Sequence, residues 1–376
     1  MSVVTFEDAP PPGTINLGVG QPSADLLPVD LLRQASDAFF KDADPFELNY
    51  GSTAGDPRFL KTLAGFLSEA YAADVREQEL FLSGGNSQAL DLAALTFAKP
   101  GDTVFVEEPS YFLAFRILRD HGLNVVGLPM DDEGVSIEAL GQALQSHTPA
   151  FLYTIPGFHN PLGQSSSAAR RTEILKLAEK YDFFIVADEV YQLLHYYDAP
   201  PPAYGTLTAS ERVISLGSFS KILAPAMRLG WIQTSPALRQ RLSANGFVNS
   251  GGSINHYGSH LVRKTIELGL LQQHVKRLRQ AYRQRVEAMD AALHEHFDGI
   301  AEWTRPTGGY FFWLRFAESV DTAALRDKAR ELQTGFQPGS VFSSTGQMKN
   351  FMRLSFAHYD TNDIQEGVAR LRRVLD

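Results

Sequence analysis

The chain has 376 residues, 44% hydrophobic and 20% charged, which excludes a disordered protein and allows one large core with a smaller companion. A formal charge of −9 with no Lys/Arg stripe argues against a nucleic-acid partner, and the absence of cysteine excludes disulfides, thiolate nucleophiles and Cys-ligated metals. No apolar run approaches the ~18 residues of a membrane span. The start, M-S-V-V-T-F-E-D-A-P-P-P, lacks the basic-then-apolar order of a signal peptide, so the expected compartment is the cytoplasm, with no membrane partner.

Pro10, Pro11, Pro12 and Gly13 mark an irregular N-terminal arm. Residues 28–41 read as an amphipathic helix, 50–57 as a Gly/Pro turn, and the spacing of Phe59, Leu60, Leu63, Phe66 and Leu67 as a second helix. From Leu80 to about Ile232 short apolar runs alternate with helical patterns: T-V-F-V (103–106), F-L-Y-T (151–154), F-F-I-V-A (183–187), V-I-S-L (213–216) and L-G-W-I (229–232). Such runs suit strands covered on both faces, and their alternation with helices predicts an α/β fold built on a mostly parallel sheet. A polar helical stretch at 267–297 leads to strand-like Y-F-F-W-L (310–314) and F-M-R-L-S-F (351–356), with helices near 321–333 and 361–375. That tail reads as a small α+β domain. The expected division is 1–45 as an arm joining the small domain, 46–280 as the large domain and 281–376 as the small one.

L-G-S-F-S-K at 216–221 ends a buried strand on small residues and then Lys221. Ligands of open α/β sheets sit beyond the carboxyl ends of the strands, and a desolvated lysine there can attack an aldehyde. Ser218, Ser220 and Arg228 (in M-R-L-G) offer donors to an anion. Asp188 closes the strand in I-V-A-D-E-V-Y; a carboxylate at that depth needs a partner, which a protonated pyridine nitrogen supplies, whereas the plainer reading is a helix cap. In P-G-F-H-N-P-L-G, Asn160 is either a turn starter or a donor to a phenolic oxygen, a role Tyr191 can share. S-G-G-N-S-Q opens a helix, so the Asn86 and Ser87 amides are candidate phosphate ligands. Tyr111, in P-S-Y, suits stacking on a ring or a place in the core, and Arg353, in F-M-R-L-S-F, suits either a carboxylate clamp or a solvent-facing edge. His256 and His260 stand four apart without an accompanying glutamate or other obvious ligand, so no metal is expected. H-E-H at 294–296 reads as a solvated helix face, and no Ser-His-Asp set stands out.

Each motif is weak alone, but in order Tyr50, S-G-G-N-S, P-S-Y, H-N-P-L-G, D-E-V-Y, S-F-S-K, M-R-L-G and R-L-S-F resemble the fold type I, pyridoxal 5′-phosphate (PLP) dependent class I/II aminotransferases, from about Ile15 to the end. The style of G-S-F-S-K and R-L-S-F is similar to the 2-aminoadipate/kynurenine branch. The resemblance implies an aspartate-aminotransferase-like fold, with Lys221 as the Schiff-base lysine and proton shuttle and Asp188 as the pyridinium partner. It also implies Asn160 and Tyr191 on the phenolic oxygen, Tyr111 on the ring, and Asn86, Ser87, Ser218, Ser220 and Arg228 on the phosphate. Tyr50 is similar to a tyrosine that reaches the neighbouring subunit's phosphate, so a homodimer with shared sites is expected. Arg353 resembles the α-carboxylate anchor, Asn160 a contact shared with substrate, and Gly20 a substrate-side backbone contact. Leu162 replaces the family's usual threonine, Phe356 its usual tyrosine, and the L-G-V-G-Q-P arm differs from that branch. The expected activity is ping-pong amino transfer between an aromatic, aliphatic or 2-aminoadipate-like L-amino acid and a 2-oxo acid such as 2-oxoglutarate. The alternatives are a C–S lyase on the same fold and a PLP-binding effector domain; the latter carry an N-terminal helix-turn-helix, whereas the enzyme pattern here begins by about residue 15.

Overall fold

The apolar runs of the middle of the chain assemble into one eight-stranded sheet. A computed structural model describes residues 11–376; residues 1–10, including Pro10 and most of the stretch read for a signal peptide, lie outside the described residues. In chain order the strands are β1 (Ile15–Asn16), β2 (Leu80–Ser83), β3 (Thr103–Glu108), β4 (Asn124–Asp131), β5 (Gly134–Val135), β6 (Pro149–Thr154), β7 (Phe184–Asp188), β8 (Val213–Ser218), β9 (Gly230–Thr234), β10 (Phe311–Arg315), β11 (Thr334–Gly335), β12 (Gln337–Pro338) and β13 (Phe351–Ser355). The large sheet runs β2-β9-β8-β7-β6-β3-β4-β5. Its middle, from β8 to β4, is parallel, while β9 runs antiparallel to both β8 and β2, and β5 antiparallel to β4.

The alternation of side chains along these strands creates two apolar layers. Val104, Val106, Phe151, Val186 and Ile214 face helices Asn86–Phe97 and Phe112–Asp120. Phe105, Leu152, Ile185 and Val213 face helices Ile137–Ser146 and Ala168–Tyr181. Both layers are dry, which is why the strands read as continuous apolar runs rather than alternating ones. The last helix is capped where the sequence provides a cap: Ser167 Oγ accepts from Arg170 N at 3.1 Å, a bond whose loss costs about 1 kcal/mol.

Strand β4 was not legible as a strand. Its sequence N-V-V-G-L-P-M-D carries a glycine and a proline and is largely half-exposed, because it lies near the sheet edge. The helical stretch expected at about 267–297 is the helix Leu270–Phe297; a further helix, His256–Glu267, precedes it and is set apart by Gly269, in the left-handed region at φ +69°.

The tail forms a three-stranded antiparallel sheet in the order β10-β13-β12, packed on the helices Leu270–Phe297 and Thr361–Val374. The N-terminal arm pairs with it indirectly, through a parallel ladder between β1 and β11. Among the described residues no helix is long and apolar enough to cross a membrane.

Candidate active site

The parallel strands end on one side of the sheet, and the sequence places chemistry at each end. Asp188 closes β7, Ser218 closes β8, Tyr111 follows β3, Asn160 follows β6 and Asn86 follows β2. Together with the arm and the small sheet they surround a cavity of ≈ 570 Å³. Every expected site residue except Tyr50 lines it: Gly20, Asn86, Ser87, Tyr111, Asn160, Asp188, Tyr191, Ser218, Ser220, Lys221, Arg228 and Arg353. Tyr50 lies elsewhere, 84% exposed on the outer surface.

Lys221 sits at the centre. Its Nζ donates to the Gly20 carbonyl at 3.2 Å and lies 5.1 Å from the Tyr310 ring centroid and 5.9 Å from that of Tyr191. Burial, reinforced by the Arg353 charge and opposed by Asp188, pulls its pKa down to about 8. Just ahead of it, Gly217 is required sterically: a Cβ there would collide with the Trp231 indole.

Asp188 is held at both oxygens. Tyr153 Oη donates to Oδ2 at 2.8 Å and Asn86 Nδ2 to Oδ1 at 2.7 Å. Burial nonetheless raises its pKa, and no cation forms a salt bridge with it among the described residues. A fixed, buried carboxylate calls for a positive group, and a protonated pyridine nitrogen is one. The helix-cap reading of Asp188 is therefore not its main role; both oxygens bond side chains from other strands and helices. The neighbouring Glu189 is structural, accepting from Tyr204 N at 2.8 Å, Gly205 N at 3.1 Å and Ser215 Oγ at 2.6 Å.

At one end of the cavity the helix Asn86–Phe97 presents its N-terminus after Gly85 at φ +87°. Ser87, Ser218, Ser220 and Arg228 gather there. Arg228 adopts φ +44° and reaches the Gly84 carbonyl at 3.2 Å through Nη2. Backbone amides, hydroxyls and one guanidinium in that arrangement suit a phosphate. The Asn86 side chain donates to Asp188 and to Leu216 O at 3.2 Å, which leaves its backbone amide, the group expected on the phosphate, to face an anion.

At the other end Arg353 is 4% exposed, which overturns the solvent-facing alternative: β13 is the central strand of the small sheet, not an edge. Its Nη1 donates to Asn160 Oδ1 at 3.0 Å and its Nη2 to Gly18 O at 2.8 Å, while the guanidinium stacks 4.1 Å from the Phe311 centroid. Burial lowers its pKa to about 10, so it stays charged at neutral pH. Its Nε is buried and has no partner among the described residues. The bond to Arg353 occupies the Asn160 oxygen and leaves the amide nitrogen as the group free to donate. Tyr111 stands at the start of helix Phe112–Asp120, half-buried rather than in the core, with burial pushing its hydroxyl up to about 12.

Sequence reasoning missed Tyr153, because F-L-Y-T registers only as an apolar strand. It also missed a buried pair behind the Asn160 turn: His159 Nε2 and Glu107 Oε2 are 2.9 Å apart, and Glu107 also accepts from Ile155 N at 2.7 Å. Gln337 and His358 line the cavity without belonging to any recognised motif, and Gln21 joins them from the L-G-V-G-Q-P arm.

Residues 12–371 match the family Aminotransferase class I and II. The chain is 33% identical over 367 residues to Aromatic-amino-acid aminotransferase 1 of Thermococcus litoralis, covering 96% of this chain and 88% of that one. It superposes with TM-score 0.90 and 31% identity on the Pyrococcus horikoshii kynurenine aminotransferase, solved with PMP, covering 96% and 90% of the two chains. It superposes with TM-score 0.88 and 30% identity on the α-aminoadipate aminotransferase LysN of Thermus thermophilus, complexed with N-(5′-phosphopyridoxyl)-L-leucine, covering 97% and 92%. The chain belongs to the class I and II aminotransferases, has their fold, and is a PLP-dependent transaminase.

Proposed function

We propose that this transaminase takes the amino group from an aromatic, aliphatic or 2-aminoadipate-like L-amino acid and passes it to a 2-oxo acid such as 2-oxoglutarate, as a cytoplasmic homodimer. One observation carries the reading: a lysine with a pKa near 8 and a buried arginine face the same cavity, opposite a carboxylate locked by two donors. The relatives named for aromatic amino acids, kynurenine and α-aminoadipate support this range of donors.

Bound PLP supplies an electron-withdrawing ring that stabilises negative charge at the substrate Cα. The chain's residues do the rest. Asp188 would keep the ring nitrogen protonated, with Tyr153 and Asn86 fixing its oxygens. Asn160 and Tyr191 would face the phenolic oxygen and Tyr111 the ring. Ser87, Ser218, Ser220, Arg228 and the helix N-terminus would hold the phosphate. Tyr50, exposed on its own chain, would reach the phosphate in the partner subunit.

Arg353 binds the α-carboxylate in a bidentate pair, and its bonds to Asn160 and Gly18 O aim the guanidinium before substrate arrives. Lys221 carries the proton. Near pH 8 about half of its amine is neutral and can accept the proton leaving Cα, then return it. Gly20 keeps the arm close enough for its carbonyl to orient that amine. The division at residues 45/46 and 280/281 into arm with small domain, large domain and small domain belongs to the same proposal.

The test is a panel of amino donors in single turnover, following conversion of bound cofactor to its amine form, with 2-oxoglutarate as acceptor. Conversion by aromatic or 2-aminoadipate donors is expected. Release of pyruvate and sulfide from sulfur amino acids without amine formation would move the chain to C–S lysis.

A further inference from the structure

His256 and His260 stand on one face of the helix His256–Glu267, and the fold brings Asp56 to them from the start of the helix Pro57–Tyr71. One ring nitrogen from each histidine and one carboxylate oxygen of Asp56 lie within 4.8 Å of one another. The geometry points to a divalent transition-metal site, filled by zinc, with His256, His260 and Asp56 as its protein ligands and water in the fourth position.

The distances carry the inference. The two Nε2 atoms are 3.2 Å apart. Zinc–imidazole bonds of about 2.0–2.1 Å at a tetrahedral angle place two ligand nitrogens about 3.3 Å apart, so the rings already stand at one edge of the coordination tetrahedron. Their planes are fixed. His260 is fully buried and stacks on Phe39, with centroids 5.4 Å apart and planes 10° apart. His256 fits against Gly51, where a Cβ would collide with its Nδ1. The Nδ1 atoms of both histidines are buried without partners among the described residues, so hydrogen bonding there does not account for these rings.

The surroundings favour a cation. The cluster opens into a pocket of ≈ 290 Å³ lined by Asp44, Glu47 and Asp56 against the single guanidinium of Arg58. Arg58 pairs with Glu47 and lies 3.4 Å from Asp56 Oδ2, so it neutralises only part of that charge. Asp56 Oδ1 accepts from Phe59 N at 3.0 Å, which anchors the carboxylate on the helix start. Two imidazoles and a carboxylate with an open position form a ligand set of the zinc type. The pocket shares no lining residue with the Lys221 cavity of the same chain, although Tyr50, proposed to reach the partner subunit's phosphate, lines it.

The experiment is calorimetric titration of untagged, chelator-treated holoenzyme with Zn(II) in phosphate-free buffer, with Co(II) absorption as a second readout of geometry. One zinc per chain with micromolar or tighter affinity is expected, together with a tetrahedral Co(II) spectrum. His256→Gln, His260→Gln and Asp56→Asn should each weaken binding at least tenfold. Because His260 is a core residue, the partly exposed His256 provides the variant least apt to disturb folding. No saturable zinc binding, or wild-type affinity in either histidine variant with an unchanged melting profile, overturns the site.

Discussion

The two walls of the cavity are built differently. The wall beneath the ring position comes from strand ends: Asp188, Tyr153 and Ser218 are anchored in the hydrogen-bonded middle of the large sheet and are almost fully buried. The wall across from it comes from irregular backbone, residues 16–21 of the arm, and from the small sheet bearing Arg353. The first wall has little freedom to vary, since each polar group is matched by another across strands. The second touches the first through few bonds, such as Lys221 to Gly20 O and Arg353 to Asn160. On the proposed function, cofactor chemistry falls to the rigid wall, and binding of the substrate carboxylate and side chain to the adaptable one.

The largest test of this contrast is Lys221→Ala. Loss of the proton carrier should cut turnover by roughly 10³-fold or more and abolish the yellow adduct, read by absorbance after reconstitution. The same amine gives a pH signature. Its pKa lies below the free-lysine value, so the protonated form dominates only under about pH 8. Capture of the aldehyde by apoprotein should accelerate as pH rises to about 8 and then level off. A rate that keeps climbing to pH 10 would show that burial does not depress this amine.

Arg353→Lys comes next. Losing the planar fork should lower kcat/KM by about 10²-fold, near 2.7 kcal/mol, for every amino donor alike. A loss confined to some donors would place Arg353 with the side-chain pocket instead of the α-carboxylate.

Tyr153→Phe probes the rigid wall without touching substrate. Removing a hydrogen bond to a charged group should cost about 1.5–3 kcal/mol, a fall of ~10- to 100-fold in kcat with a smaller change in KM. The sign of the pH effect follows from the removed donor. Tyr153 stabilises the Asp188 carboxylate, whose pKa burial already raises, so its loss should raise that pKa further and move the acid limb of kcat to higher pH. An unchanged acid limb would reduce Tyr153 to a packing residue.

Tyr50→Phe should have the smallest effect. One phosphate contact from across a dimer is worth about 0.5–1.5 kcal/mol, so cofactor affinity should weaken ~3- to 10-fold by equilibrium dialysis while donor preference holds. Affinity equal to wild type would make Tyr50 an ordinary exposed tyrosine.

The legibility of the site follows the same division. Lys221, Asp188, Asn160 and Arg228 stand at fixed offsets from buried strands, and a strand end is readable from an apolar run that stops. The proposed anion-binding turn is signalled by Gly84, Gly85 and Ser87 ahead of an Ala/Leu helix. Tyr153 was not, because a hydroxyl within an apolar strand has no local signature; its partner lies 35 residues away. The Asn86 backbone amide was read toward phosphate; that its side chain bonds Asp188 was decided only by the packing of the helix Asn86–Phe97 on β7 and β8. His256 and His260 were visible as a pair, but Asp56 lies 200 positions away in sequence, beyond any periodicity.

By itself, then, the sequence determined most of the element order and the doubly covered sheet and pointed to Lys221 as the candidate reactive lysine, because hydrophobic period and strand-end position are local properties of the chain. Tertiary structure decided which oxygen each donor meets, that Arg353 is central and buried rather than at an edge, and which third ligand joins the two histidines. Those are contacts between residues far apart in sequence, fixed only when strand order and helix packing close the loops between them.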